Sequence, residues 1–304
     1  MAGTTKPNDE TISYSEHRIH RKEFSIYARD YPGDGPAFVL MHGFPDNLHI
    51  YDSLAPMLAH SGRRVVAFDF LGYGGSDRPR EYPYTAANLE GDISAVVNGL
   101  RLDRIVPVAH DASGPAAINW ALAHPEQLDS LVLLNTYYDS TPSLRFPEFI
   151  SLFADPAYAD LAREFASDPA QLAWLLSFQG RHFLQGASQS LQENAQKVLF
   201  PIIQSQFGMS PSVMPAFMGL TRDLHSNLEA NAQRIKELSA FTSPVSIIWG
   251  AGDPYLNPGV AQHLHSQFPT SELTLLRLGH WPQIDGPADV CSALFSRREG
   301  TITD

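Results

Sequence analysis

The chain has 304 residues, 43% of them hydrophobic and 18% charged, enough to bury one sizeable core in the manner of an α/β fold with an insertion. Its 33 Asp and Glu against 21 Lys and Arg give a formal net charge of −12, which repels a phosphate backbone and excludes nucleic-acid binding as the expected function. No apolar run reaches the ~20 residues that span a bilayer, and the polar start, Met1 to Glu10, has no signal-like apolar centre. Cys291 is the only cysteine, so neither an intrachain disulfide nor a cysteine metal cluster is available, and the 12 histidines lack the HExxH spacing. The expectation is a cytoplasmic protein, monomer or homodimer, without membrane association, metal or cofactor.

In chain order, β-rich stretches at 17–20 and 23–29 precede an apolar run at 37–41, with a turn cluster, YPGDGP, at 31–36 between them. Further short apolar runs follow at 65–68, 105–109, 131–134, 245–249 and 273–276, alternating with helical patterns. Strands buried on both faces of a parallel sheet read this way. The alternation predicts an α/β fold: a doubly wound, mostly parallel eight-stranded sheet flanked by helices. It breaks between 137 and 240, where helix formers gather at 156–166, 169–176, 188–198 and 226–238. A helical cap over 137–240 is therefore expected, inserted into a core made of 1–136 and 241–304, with 300–304 as a tail.

The apolar run VPVAHDASGP at 106–115 ends in small residues around one carboxylate and opens into a helical pattern. Strand, sharp turn and helix place Asp111 at the tip, with Ala109 and Ser113 small enough to let strand and helix approach. HGFPDN at 42–47 follows the third strand, where a glycine lets a backbone amide face a developing oxyanion. The N–H groups of Phe44 and Ala112 are the expected hole, donors of this kind being worth about 3 kcal/mol each in transition-state stabilisation. FDFLGYGGSD at 68–77 is glycine-rich, yet it lacks both the Lys-Ser/Thr of a Walker loop and the GxGxxG spacing, so it reads as a structural turn. GAGDP places Asp253, and GHW places His280, in loops after successive late strands. A single loop Asp is most often a turn residue and a single His a surface group. The order nucleophile, acid, histidine, each beyond its own strand, is far more specific.

The chemistry of a carboxylate points the same way. Attack on a carbonyl would create a reactive anhydride, whereas attack on the saturated carbon of an epoxide or alkyl halide gives an ester that water activated by His280 can hydrolyse.

Together these segments resemble the α/β-hydrolase superfamily over nearly the whole chain. HGFP followed by HD at the elbow resembles its aspartate-nucleophile branch, which includes epoxide hydrolases, haloalkane dehalogenases and fluoroacetate dehalogenases. The resemblance implies Asp111 as nucleophile, His280 as base and Asp253 as the group orienting that histidine. Asn135 stands where some members carry the acid, and an amide there cannot balance an imidazolium. The resemblance also implies cap tyrosines for epoxide opening, or indole N–H donors for halide release. Ala112 stands where a tryptophan commonly follows the nucleophile, and Ala112, Ser113 and Pro115 replace the substrate-binding arginines of fluoroacetate dehalogenases, so both dehalogenase readings lose ground.

The insertion carries Tyr137, Tyr138 and Tyr158 but no tyrosine in its second half. Candidate substrate contacts are therefore His110, Tyr137, Tyr158, Trp174, His182 and Trp281. The residues Phe149, Phe153, Phe207, Met209, Met214, Phe217 and Met218 either line an apolar chamber, to which methionine lends adaptability, or pack the insertion's own core. The expected activity is cofactor-free hydrolysis of a small apolar epoxide to a vicinal diol. Haloalkane or haloacid dehalogenation and ester or lactone hydrolysis are the alternative reactions. A ligand-binding protein on a hydrolase fold is the reading of another class, against which the intact set of Asp111, His280 and Asp253 argues.

Overall fold

The computed structural model describes residues 12–296; the expectations for residues 1–10 and 300–304 lie outside them. Eight strands form one sheet in the order β1-β2-β4-β3-β5-β6-β7-β8. They are β1 (Ser15–Arg21), β2 (Phe24–Tyr31), β3 (Asp34–Met41), β4 (Arg63–Phe68), β5 (Ile105–Asp111), β6 (Leu131–Thr136), β7 (Val245–Gly250) and β8 (Ser271–Leu276). The β1/β2 and β2/β4 pairs are antiparallel and all others parallel. The third strand begins inside the expected turn cluster, since Asp34 pairs with Arg63 and a register shift before Phe38 absorbs the glycine and proline residues.

Side chains along the central strands alternate between two cores, as the two-residue period of a strand requires. Val39, Met41, Ala109 and Leu133 join one apolar cluster, and Phe38, Leu40, Val108 and Leu134 the other. Helices α1 (Leu54–His60), α2 (Ala86–Gly99) and α3 (Ser113–Ala123) follow the early strands. α1 covers the second cluster, while α2 and α3 cover the first.

Between β6 and β7 the chain is helical, as the pattern predicts, but with different bounds. The elements are α4 (Glu148–Ala154), α5 (Ala159–Ser167), α6 (Pro169–Phe183), α7 (Gln189–Asn194), α8 (Phe200–Gly208), α9 (Met214–Arg222), α10 (Leu224–Ala232) and α11 (Ile235–Leu238). The helix expected at 188–198 runs on to Gly208 through a π-helical segment, Ala195–Leu199. That wider turn sits just ahead of Pro201, which has no N–H to donate, so the helix continues past a residue that reads as a breaker. α12 (Pro258–Gln267), α13 (Pro282–Asp285) and α14 (Pro287–Ser296) complete the fold. Among the described residues no helix is long and apolar enough to cross a membrane.

Candidate active site

The carboxyl end of β5 turns directly into α3, with Asp111 at the tip in the left-handed region, φ 52°. A non-glycine residue there is strained, which is how a sharp elbow presents its side chain. The turn is locked from behind. The Ser113 hydroxyl accepts the His110 N–H at 3.0 Å and lies 2.8 Å from the His110 carbonyl, and Thr136 Oγ1 donates to the Asp111 carbonyl.

The Asp111 side chain is 20% exposed and faces a cavity of about 290 Å³, at the small end of the ~300–1,000 Å³ usual for small-molecule sites. Its Oδ2 accepts the Phe44 N–H at 3.2 Å, and the Ala112 N–H also donates to the carboxylate. Gly43 permits this approach: a Cβ there would stand 2.7 Å from Asp111 Oδ2. The loop is held by His42, whose Nδ1–H donates to the Gly43 carbonyl at 2.6 Å while Nε2 accepts the Phe70 N–H at 3.1 Å. Burial keeps that imidazole neutral by lowering its pKa. The glycine-rich turn is structural, as expected: Asp69 accepts the Leu48 and Gly75 N–H groups, each at 2.7 Å.

His280 Nε2 lies 3.9 Å from Asp111 Oδ1 and His280 Nδ1 lies 2.5 Å from Asp253 Oδ2. Asp253 is buried and fully engaged, Oδ1 accepting the Tyr255 and Leu256 N–H groups at 2.9 and 3.1 Å and Oδ2 the Asn135 amide at 3.0 Å. Burial alone would raise its pKa, but the His280 charge and these donors hold it below the ordinary value. For Asp111, burial prevails and the pKa is raised. Burial pushes His280 down, yet Asp253, Asp111 and Asp46 together lift it to about 9. Asn135 is thus no substitute acid. Its amide ties Asp253 to the Gly250 backbone at 3.1 and 2.7 Å, a positioning role.

The structure brings Tyr137 and Trp281 to the cavity wall with Phe44 and Ala112. The Trp281 ring packs edge-on against His280, and its N–H donates to Asp46 at 2.9 Å. The Tyr137 hydroxyl has no hydrogen-bond partner among the described residues, and burial followed by the nearby Asp111 charge raises its pKa, so the phenol stays protonated.

Four candidates fall elsewhere. Trp174 and Tyr158 are 56% and 51% exposed. His182 bonds the Phe178 carbonyl at 3.1 Å within α6; Trp174 stacks on Phe178 and His182 packs tilted against it, a ladder of helical period on the helix surface. That period reads equally as a cleft face, and the apolar interior claimed the opposite side of α6. His110 is buried outside the cavity, where its Nε2–H donates to the His280 carbonyl at 2.8 Å. Burial keeps it neutral, and it holds the histidine loop instead of touching substrate.

Of the aromatic and methionine candidates, Phe149 and Phe217 line the cavity and belong with Phe153 to a separate apolar cluster against which Phe207 and Met214 pack; Met209 and Met218 are exposed. Both readings of that group therefore hold in part. Sequence reasoning missed Gln179 and Tyr255, which also line the cavity. The Gln179 amide and the Tyr255 hydroxyl meet at 2.6 Å, and the hydroxyl donates to Glu148 at 2.6 Å. Tyr255 stands two residues beyond Asp253 in GAGDPY, close enough to have been flagged. Among the described residues no group of three or more His, Cys, Asp or Glu side chains is placed to hold a metal.

Comparison with known proteins adds to this geometry. The alpha/beta hydrolase fold family matches the chain over residues 36–287. The chain belongs to that family. It is similar to the pig bifunctional epoxide hydrolase 2, 28% identical over 85% of this chain and half of that protein, so it spans only half the length of that relative. An epoxide hydrolase of Caballeronia sordidicola is 26% identical over 94% of each chain. An α/β-hydrolase fold protein from Burkholderia ambifaria superposes with a TM-score of 0.75 at 23% identity, over 92% of this chain and 97% of its own, a likeness of fold alone. Epoxide hydrolases are thus among the proteins that this member of the alpha/beta hydrolase fold family resembles.

Proposed function

We propose that this α/β-hydrolase opens epoxides to vicinal diols through a covalent ester on Asp111, with residues 137–240 acting as a cap over the reaction chamber. The observation that carries the reading is the nucleophile's own setting. The two N–H groups of Phe44 and Ala112 grip the carboxylate itself, so the oxyanion they serve is one formed on the Asp111 carboxyl carbon. The 3.9 Å between His280 and Asp111 is too long for a direct hydrogen bond, and a water bridging the two would sit beside that carbon.

In the first step the Asp111 carboxylate attacks a ring carbon and the C–O bond of the epoxide breaks. The departing alkoxide takes a proton from Tyr137, the cavity phenol whose hydroxyl is not otherwise engaged. Tyr255 is the less suitable donor, since its proton is already committed to Glu148. In the second step His280 draws a proton from water, the hydroxide adds to the ester carbonyl, and the oxyanion rests on Phe44 and Ala112. Collapse releases the diol. Of the water's two protons, one goes to the leaving alcohol and the other restores Tyr137. Esterification removes the Asp111 charge that helps raise the His280 pKa, so the imidazole becomes a base when one is needed.

Halide release is less well supported, because the Trp281 indole N–H is bonded to Asp46 and residue 112 has no side-chain donor. The deciding experiment is a single turnover in heavy-oxygen water with enzyme in excess. The label is expected in the Asp111 carboxylate and not in the first diol released; label in that diol would show direct attack by water and overturn the mechanism.

Replacing Tyr137 by Phe tests the donor. Alkylation should slow by about 10²-fold or more, while breakdown of a preformed ester should be far less affected, as stopped-flow and quench measurements would show. An unchanged alkylation rate would assign the proton to another group.

A further inference from the structure

The cavity does not stop at the nucleophile. Ala112, Pro115, Ala116 and Asn119 all line it, at the spacing that puts side chains on one face of α3. At 1.5 Å per residue the helix carries this wall about 10 Å from Ala112 to Asn119. Leu89 of α2 and Leu224 and Leu228 of α10 line the same cavity, giving this part of it apolar sides. Its polar groups are side-chain amides and the Thr221 hydroxyl, which donates to the Phe217 carbonyl at 2.8 Å. Asn119 and Asn231 are buried and joined at 3.3 Å. Asn227, one turn before Asn231 on α10, lines the cavity with its side-chain amide unbonded among the described residues. The charged or titratable lining residues, Asp111, Tyr137, Arg181, Tyr255 and His280, all lie outside α2, α3 and α10. Arg234 reaches Asn119 Oδ1 at 2.7 Å but does not line the cavity and is paired with Glu237, so an ionic group here would lose its hydration without gaining a free partner.

We infer that the natural substrate is an epoxide bearing an unbranched apolar arm about 10 Å long that ends in a neutral hydrogen-bonding group, the arm lying along α3 and its end meeting Asn227. The inference rests on the epoxide reading and narrows it to a substrate class. Ala116 sets the room for the arm, since its methyl is all that separates the helix from the lobe at that turn. A phenyl ring there would occupy the path. Asn227 sets the preference for a polar end, because an apolar terminus would strip the amide of water without replacing its hydrogen bond, whereas a hydroxyl replaces it.

The test measures kcat/KM for terminal epoxides from butene oxide to decene oxide, and for the decene oxide carrying a terminal hydroxyl, in the parent, Ala116→Phe and Asn227→Leu. In the parent kcat/KM should rise about tenfold or more along the series and again with the hydroxyl. Ala116→Phe should collapse the long-to-short ratio by about tenfold or more, and Asn227→Leu should erase the gain from the hydroxyl while leaving the length dependence. No length dependence in the parent, or a ratio unmoved by Ala116→Phe in a variant with unchanged circular dichroism, overturns the lobe while leaving epoxide opening intact.

Calorimetric titration with hexanol, decanol and decanediol separates the two ideas. Tighter binding of the longer alcohols, lost in Ala116→Phe, supports the lobe even if no epoxide turns over, an outcome that would sink the epoxide reading alone. Equal binding by parent and variant overturns the lobe.

Discussion

Asp111→Asn is expected to lose turnover by on the order of 10⁴-fold or more, with the fold intact. The amide oxygen is a poor nucleophile toward saturated carbon, so no ester forms and the later groups have nothing to act on. Structure is spared for a specific reason. Position 111 sits at φ 52°, and Asn tolerates the left-handed region as well as Asp does. The Phe44 N–H keeps an acceptor, and the burial that raises the Asp111 pKa no longer opposes a charge. Thermal unfolding should therefore occur at or above the parent's midpoint.

The same substitution removes one of the charges that lift the His280 imidazole to about 9, so its titration, followed by NMR, should move down. Activity in fresh variant must be measured beside intact mass, because hydrolysis of the amide regenerates aspartate. Full turnover without that mass change would show that covalent catalysis at this position is wrong, whatever the fold.

How the site could be read before the fold was known follows from where each residue's information lies. The central strands were legible because burial on both faces leaves short apolar runs, and the grouping of Asp111, Asp253 and His280 was legible because each stands at or beyond the end of its own run: Asp111 closing β5, Asp253 after β7, His280 after β8. Phe44 and Ala112 follow from the same logic, since a backbone N–H is fixed by the turn that carries it. The side chains between β6 and β7 are another matter. Trp174 and His182 share α6 with Gln179 and Gly180, and only packing decides which face meets the cavity. Periodicity marks out a stripe without saying whether it meets solvent, core or substrate, and the exposed ladder on α6 carries the same aromatic signal as a binding face. His110 misled for a different reason. It neighbours Asp111 in sequence, but successive residues of a strand point to opposite faces, so the imidazole beside Asp111 in the chain is buried behind the histidine loop in space.

His280→Gln should separate the two steps. Alkylation does not need the imidazole as a base, so epoxide should react to give protein whose mass rises by that of the substrate, with the adduct on Asp111. Hydrolysis of the ester should slow by about 10²- to 10⁴-fold, the range a positioned general base contributes. Glutamine is chosen over alanine because Asp253 is buried and its Oδ2 faces the histidine. Alanine would leave that buried oxygen only the Asn135 amide, and taking one partner from a buried ion pair costs about 3–5 kcal/mol, whereas a glutamine amide can still donate.

In the parent the pH dependence has a defined sign. Imidazolium cannot accept a proton, so breakdown of the ester should rise with pH as His280 loses its proton. Its pKa is about 9 with the Asp111 carboxylate free, and the ester lacks that charge, so the midpoint for breakdown should lie below about 9. Rapid-quench mass spectrometry across pH measures both quantities. A variant that accumulates no adduct although the parent turns over, or an adduct on any residue but Asp111, would rule out the two-step route, and a breakdown rate that falls with rising pH would remove His280 as its base.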